Sequence, residues 1–254
     1  MGSSITLLKK EFKEILRTYR IYVIPTIFLL FGLTSPIIAK LTPELLKSIA
    51  TEFTIEIPPP TWLDAFRQFF KNMHQIGVIV VILTLMGSIA EEKDKGTAAL
   101  VLAKPISRRS FVLAKYGANL LFLAVVYLVS YLGCLYNTTV LFPELNTKAS
   151  AQAAFLSLVY IFFIASLTLC ASTISKSGLA AGGLAIGGFI ITVTLPALPG
   201  VLKTYSPGAL TGLSDQVLTG AIPLQEALPA VGVAVLLALG LGAIGIQIFY
   251  RQEL

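Results

Sequence analysis

The feature that most constrains this chain is a set of six stretches without a single Asp, Glu, Lys or Arg, at residues 21–39, 72–90, 116–142, 149–174, 178–202 and 227–250. Each is long enough for the roughly 20 residues that cross a hydrocarbon core as helix. All 19 Lys and Arg and all 13 Asp and Glu fall outside these runs, as expected if a charge at a helix centre costs about 2.5 to 3.5 kcal/mol on insertion. With 56% hydrophobic and only 13% charged residues, the chain has too little polar surface to cover a water-soluble globule. The runs are continuous rather than alternating, which argues against the ten-residue strands of a β-barrel. Twenty polar-rich residues precede the first run and no small-residue cleavage site follows it, so it does not read as a cleaved signal. The expectation is an all-α integral membrane protein, one transmembrane domain over residues 1–254 with six spans.

With both termini inside, the cytoplasm receives 13 of the 19 Lys and Arg and the opposite face only Lys40, Lys47, Arg67, Lys71, Lys148 and Lys203, the asymmetry that the positive-inside rule favours. A pI near 9.3 then needs no nucleic acid, because anionic lipid and a cytosolic partner account for it.

Residues 5–20 place Ile5, Leu8, Phe12, Ile15, Leu16 and Tyr19 on one helical stripe beside Lys9, Lys13, Arg17 and Arg20, which predicts an interfacial amphipathic helix on the cytoplasmic surface. The outer segment 40–71 carries a Pro58-Pro59-Pro60 rod and then Thr61 with Asp64 three residues on, a capping-box start that would begin the second helix near Trp62. Trp62, Phe66, Phe69 and Phe70 then suggest an aromatic belt at the outer interface. His74, the only histidine, lacks Cys or carboxylate neighbours for a metal site and reads as a polar residue at the membrane edge. Cys134 and Cys170 lie in apolar runs and read as small buried hydrophobes. Between Pro199 and Pro229, Leu210, Leu213, Val217 and Leu218 recur at helical spacing, predicting short outer helices between the fifth and sixth spans. In the fifth run Gly178 and Gly182, and Gly183 and Gly187, are four apart, the small-xxx-small spacing of close contact within one chain or between two.

The loop 91–115 is different in kind. Glu91, Glu92 and Asp94 precede Gly96 and Thr97, negative charge where a helix dipole favours it; a helix from there must stop before Pro105. Ser107 can cap a second helix that runs uninterrupted to Phe142, about 54 Å against a core of about 30 Å, so its start must project into the cytoplasm. The predicted product is a short transverse helix exposing Leu100, Val101 and Leu102 among charges, which suggests a docking surface.

The order of Glu91 and Glu92, Gly96-Thr97, a leucine-bearing helix with Leu100 and Val101, Pro105 nine residues after the glycine, Ser107-Arg108-Arg109, and Lys115 ten residues after the proline resembles the cytoplasmic loop of type-2 ATP-binding-cassette exporter permeases. The interfacial helix, the six spans and the short outer helices agree with that resemblance over essentially the whole chain. It implies that the transverse helix is a coupling helix seated in a groove of a separate ATPase subunit. It further implies that two copies of the chain associate through the first and fifth spans in a prokaryotic plasma membrane, and that Mg-ATP is bound by the partner and no cofactor by this chain. Ala98 and Ala99 depart from the pattern, standing where a larger apolar and an acidic residue are common in such permeases.

No G-x-x-x-x-G-K-[ST] occurs and the loops are too short for a nucleotide domain, so the chain itself reads as no ATPase. The rival classes are a stand-alone secondary transporter or channel, which the lack of charged residues in the spans disfavours, and an integral-membrane enzyme, for which there is no H-E-x-x-H or G-x-S-x-G motif and no Cys/His cluster. Tyr127, Tyr131, Tyr160, Asn119 and Asn137 are polar groups within spans that fit either cargo contact or packing bonds.

Overall fold

The computed structural model describes residues 2–49, 58–103 and 107–252, all helical or connecting, with no strand among them. Six helices or helix runs are long and apolar enough to cross a membrane. In chain order the elements are α1 (Gly2–Arg17), α2 (Arg20–Ile49), α3 (Trp62–Asn72), a π-helical turn (Met73–Gly77), α4 (Val78–Leu85), α5 (Gly87–Asp94), α6 (Thr97–Leu102), α7 (Arg108–Leu141), α8 (Thr147–Ile174), α9 (Gly178–Thr194), α10 (Val201–Tyr205), α11 (Ala209–Thr219) and α12 (Leu224–Arg251). The stretch from α3 to α5 is one crossing, broken twice.

The centre of the bundle is α8. It is apolar all round, and such a helix is stable only when surrounded; it packs on α12, α11, α9 and α4 and is buried along most of its length. By contrast α2, α9 and α12 turn most of their apolar surface outward, the pattern expected where lipid or a second subunit supplies the missing neighbour.

The breaks in the second crossing are satisfied locally. At Met86 the helix reorients and frees the N–H groups of Ile89 and Ala90, and both donate to Ser172 Oγ of α8 at 3.0 Å. Such insertion of a foreign hydroxyl into the ladder is a recognised cause of a helix kink. In the π turn, His74 pairs with Ser157 Oγ at 2.9 Å and stacks on Phe70 and edge-on to Tyr160. The histidine is therefore a packed residue, held between Phe70 of α3 and Ser157 and Tyr160 of α8. Helix α2 tolerates Pro25, Pro36 and Pro43, and α7 lies close beside it. Ser130 Oγ donates to Phe28 O, Asn137 Nδ2 donates to Leu33 O at 2.9 Å, and a Cβ on Gly32 would fall 2.3 Å from Ser130 O.

Two expectations change. The aromatic side chains of α3 do not form an exposed belt: Phe66, Phe69 and Phe70 are buried, and Phe66 and Phe69 meet Tyr131 and Tyr127 of α7, because α3 continues the second crossing and turns its aromatic face into the bundle. The buried face of α1 is rotated from the predicted stripe. Leu7, Glu11 and Ile15 face inward, while Leu16 and Tyr19 are exposed, and the reason lies in the charged site described next.

At the opposite end Thr61 starts α3 as its capping pattern predicts, with Thr61 N–H donating to Asp64 Oδ2 at 2.8 Å. The short helix α11 buries Leu210, Val217 and Leu218, and Arg67 joins it to α3 through Asp215 at 2.6 Å.

Candidate functional site

The charged residues converge at the end of the bundle where α1, α5, α6, the start of α7 and the end of α12 meet. Helix α5 stops because Gly96 takes a left-handed conformation, φ 67°; its N–H bonds Lys93 O and that of Lys95 bonds Glu91 O, closing the last turn. Thr97 begins α6 and its hydroxyl donates to Glu92 O at 3.2 Å. In α6 Ala98 is buried and Val101 packs on the core three positions later, while Leu100 points outward, 73% exposed. Val101 is thus not part of an exposed patch, since helical spacing from Ala98 turns it inward. The same burial explains a small residue at 98. Pro105 lies outside the described residues. Ser107 caps α7 by accepting from Ser110 N–H at 3.1 Å.

Eight residues after the cap, Lys115 is completely buried. A Lys two turns into an apolar helix needs counter-charges, and they come from two other elements. Lys115 Nζ lies 2.8 Å from Glu11 Oε2 of α1 and 2.9 Å from Glu92 Oε1 of α5, with Glu14 Oε1 at 4.0 Å. Lys10 braces the same carboxylates from the rim, 3.1 Å from Glu11 and Glu14 and 3.5 Å from Glu92. Beneath them Asn119 Nδ2 and Arg20 Nη1 both donate to Ser88 Oγ, at 3.3 and 3.4 Å. Against the penalty of burial, the carboxylates of Glu11, Glu92 and Glu14 hold the Lys10 ammonium well above its usual range; conversely, Glu14 is held below the usual carboxylate value, with Lys115 and Lys10 outweighing its desolvation. This network welds α1, α5 and α7 together, and it is what draws Glu11 into the buried face of α1.

Glu11, Glu14 and Glu92 bring carboxylate oxygens within 4.8 Å of one another, close enough for a cation. Two ammonium groups already occupy the space between them, so the chemistry is that of an ion-pair cluster.

A second set of contacts ties in the last helix. Arg108 Nη1 donates to the carbonyls of Phe249 and Tyr250, both at 3.2 Å, and to that of Gln252, capping the end of α12. Lys93 Nζ donates to Thr173 O at 2.5 Å and Gln252 Oε1 at 3.2 Å. Arg109, its neighbour in sequence, is exposed. Glu91 pairs with Lys95 at 3.1 Å and borders Gly178.

The sequence-predicted loop residues therefore separate by role. Leu100 and Arg109 face outward, Glu92 and Arg108 point inward to other helices, and Gly96, Thr97 and Ser107 shape the backbone. Lys10, Glu11, Glu14 and the burial of Lys115 escaped sequence reasoning, although the uninterrupted helix from Ser107 was itself a signal that Lys115 would need partners. The glycines of α9 separate as well. A Cβ on Gly182 would fall 2.6 Å from Met86 Sδ and one on Gly178 3.4 Å from Glu91, whereas Gly183 and Gly187 have nothing within 4 Å. Of the polar residues of the spans, Tyr127 bonds Ala154 O at 3.1 Å, Tyr131 bonds Ser150 Oγ at 3.0 Å and Asn119 also bonds Lys115 O at 2.8 Å, whereas the Tyr160 hydroxyl has no hydrogen-bond partner among the described residues.

Six helix runs able to cross a membrane, an amphipathic helix locked against them and a short helix between the second and third make this a polytopic membrane protein with a charged hairpin after its second crossing. Residues 5–218 match the family model described as "ABC-2 family transporter protein", and the chain belongs to that family. It is thereby a transmembrane component of an ABC transporter, in a family whose permeases generally pair with separate ATPase subunits. It is also similar to the uncharacterized transmembrane protein YxlG of Bacillus subtilis (strain 168), 24% identical over 177 residues that cover 68% of this chain and 69% of that one.

Proposed function

We propose that this chain is the membrane subunit of an ATP-driven exporter in a prokaryotic plasma membrane, with both termini and α6 in the cytoplasm, working as a homodimer on two separate ATPase subunits that bind Mg-ATP. The observation that carries this reading is the linkage at α6: an exposed Leu100 on a short helix whose two flanks, α5 and α7, are joined by Glu92 and Lys115 and braced by α1. A push on α6 would be delivered to two crossings and the interfacial helix together, because a buried ion-pair cluster resists separation of its members. Dimerisation through α2 and α9 is supported by their outward apolar surfaces and by the open space beside Gly183 and Gly187. The test is to co-express the chain with a cassette ATPase from its gene neighbourhood, purify through a tag on the permease, and measure ATPase activity in liposomes. The reading requires copurification that Leu100→Asp abolishes; transport by the permease alone under an ion gradient would reject it.

A further inference from the structure

Helices α7, α8 and α12 enclose an apolar cavity of about 430 Å³, lined among others by Leu113, Tyr116, Phe162, Ala238 and Gly242. Its one phenol is already committed, since the Tyr116 hydroxyl donates to Ser166 O at 3.4 Å. That leaves a wall suited to hydrocarbon and poor at recognising a polar cargo. The cavity opens sideways on the outer face of the bundle, where Leu113 and Leu239 are largely exposed, and no residue of α2 or α9 lines it.

At its α6 end the cavity does not close. Ala243 and Ile246 also line a second depression, completed by Arg109 of α7 and by Gln247, Tyr250 and Arg251 of α12. Both arginines are exposed, neither has an ion pair among the described residues, and no acidic residue lines either part. From Ala234 to Ile246 the apolar part follows α12 for about 18 Å at 1.5 Å per residue, close to the half-thickness of a core of about 30 Å. An apolar slot one leaflet deep, ending in two guanidinium groups that have no ion pair among the described residues, is complementary to an anionic amphiphile.

We propose that this groove binds one anionic phospholipid of the leaflet on the α6 side, with an acyl chain between α7, α8 and α12 and its phosphate at Arg109 and Arg251. A bound lipid there would lie against Tyr116 and beside the Arg108 contacts at the end of α12, so the lipid environment would bear on the same helices that carry the α6 hairpin.

The experiment uses the purified full-length chain in non-ionic detergent, with phosphatidylglycerol and phosphatidylcholine of identical chains offered in turn and retention counted by native mass spectrometry. The expected result is one retained phosphatidylglycerol per chain, favoured over phosphatidylcholine by about thirtyfold, as two juxtamembrane cations would give. The double variant R109Q/R251Q should lose that preference while still retaining lipid. Gly242→Leu should lose both lipids; a Cβ there meets only the Tyr116 ring at 3.7 Å, an ordinary contact, so the chain still folds. Equal retention of the two lipids by the native chain, survival of the preference in R109Q/R251Q, or displacement by inorganic phosphate alone would each overturn the proposal. None of these outcomes depends on whether an ATPase copurifies.

Discussion

Lys115 Nζ and Glu92 Oε1 stand 2.9 Å apart across 23 residues of chain, and between those two residues lies the whole hairpin that carries α6. The pair closes the base of the hairpin and so ties together the two crossings that flank α6. Glu11 completes the base from a third element at 2.8 Å, which makes the interfacial helix part of the same unit.

Replacing Lys115 with Met removes the shared cation and leaves Glu11 and Glu92 facing each other with only Lys10 between them. Loss of one partner of a buried pair costs about 3 to 5 kcal/mol, and we expect a large fall in thermal stability in detergent with faster amide exchange in α1. Adding Glu11→Gln and Glu92→Gln to Lys115→Met should restore much of that stability, since the uncompensated carboxylates are then gone.

At Gly96 the left-handed backbone, not space, is the constraint: φ is 67° and a Cβ would meet nothing within 4 Å. A β-branched residue there is strained by about 1 to 2 kcal/mol. Gly96→Val should therefore lower stability or tilt α6 and reduce transport coupling, whereas Gly96→Asn, which tolerates this conformation, should stay near native in both thermal unfolding and transport assays.

Leu100→Asp changes an exposed side chain, so the stability should be unchanged within about 0.5 kcal/mol, read as an unaltered thermal unfolding curve. Stimulation of the ATPase partner should nevertheless be lost, and a variant that still stimulates it would remove α6 from the interface.

Docking of α1 should depend on pH. Glu14 has its folded value lowered below 4.5 by Lys115 and Lys10, so its contribution is present above that value and is lost as pH falls through the folded value. Lys10 is raised above 10.5, so its contribution is complete below that pH and fades only in stronger alkali. Protection of the α1 amides, taken relative to the intrinsic exchange rate at each pH, should be greatest between about pH 5 and 10 and should fall on acidification below about 4.5, and Glu14→Gln should flatten the acid limb.

The glycines of α9 should respond in two ways. Gly182→Leu collides with Met86 and should destabilise the monomer, while Gly183→Leu meets open space within the chain and should leave the monomer intact but weaken self-association in sedimentation or light scattering.

What could be read in the linear chain was whatever depends on solvent and local geometry. The exclusion of charge from six runs forces membrane helices, Ser107 and Thr61 announce helix starts, and Gly96 marks a turn, because each is set by neighbours within a few residues. Pairing across the bundle was not readable. Lys115 stood out only by its spacing from Pro105 in a cytoplasmic loop, with no sign of its burial, the aromatic residues of α3 looked like a belt, and Val101 looked exposed. Each of those depends on which neighbour a face meets, which the local pattern of a single segment does not specify. The sequence by itself determined that the chain is a six-helix membrane protein with a charged hairpin after the second crossing, because burying charge in hydrocarbon is prohibitive. Only the tertiary structure decided that the hairpin is pinned at its base by Glu11, Glu92 and Lys115, because a buried cation takes its partners from whichever helices pack around it.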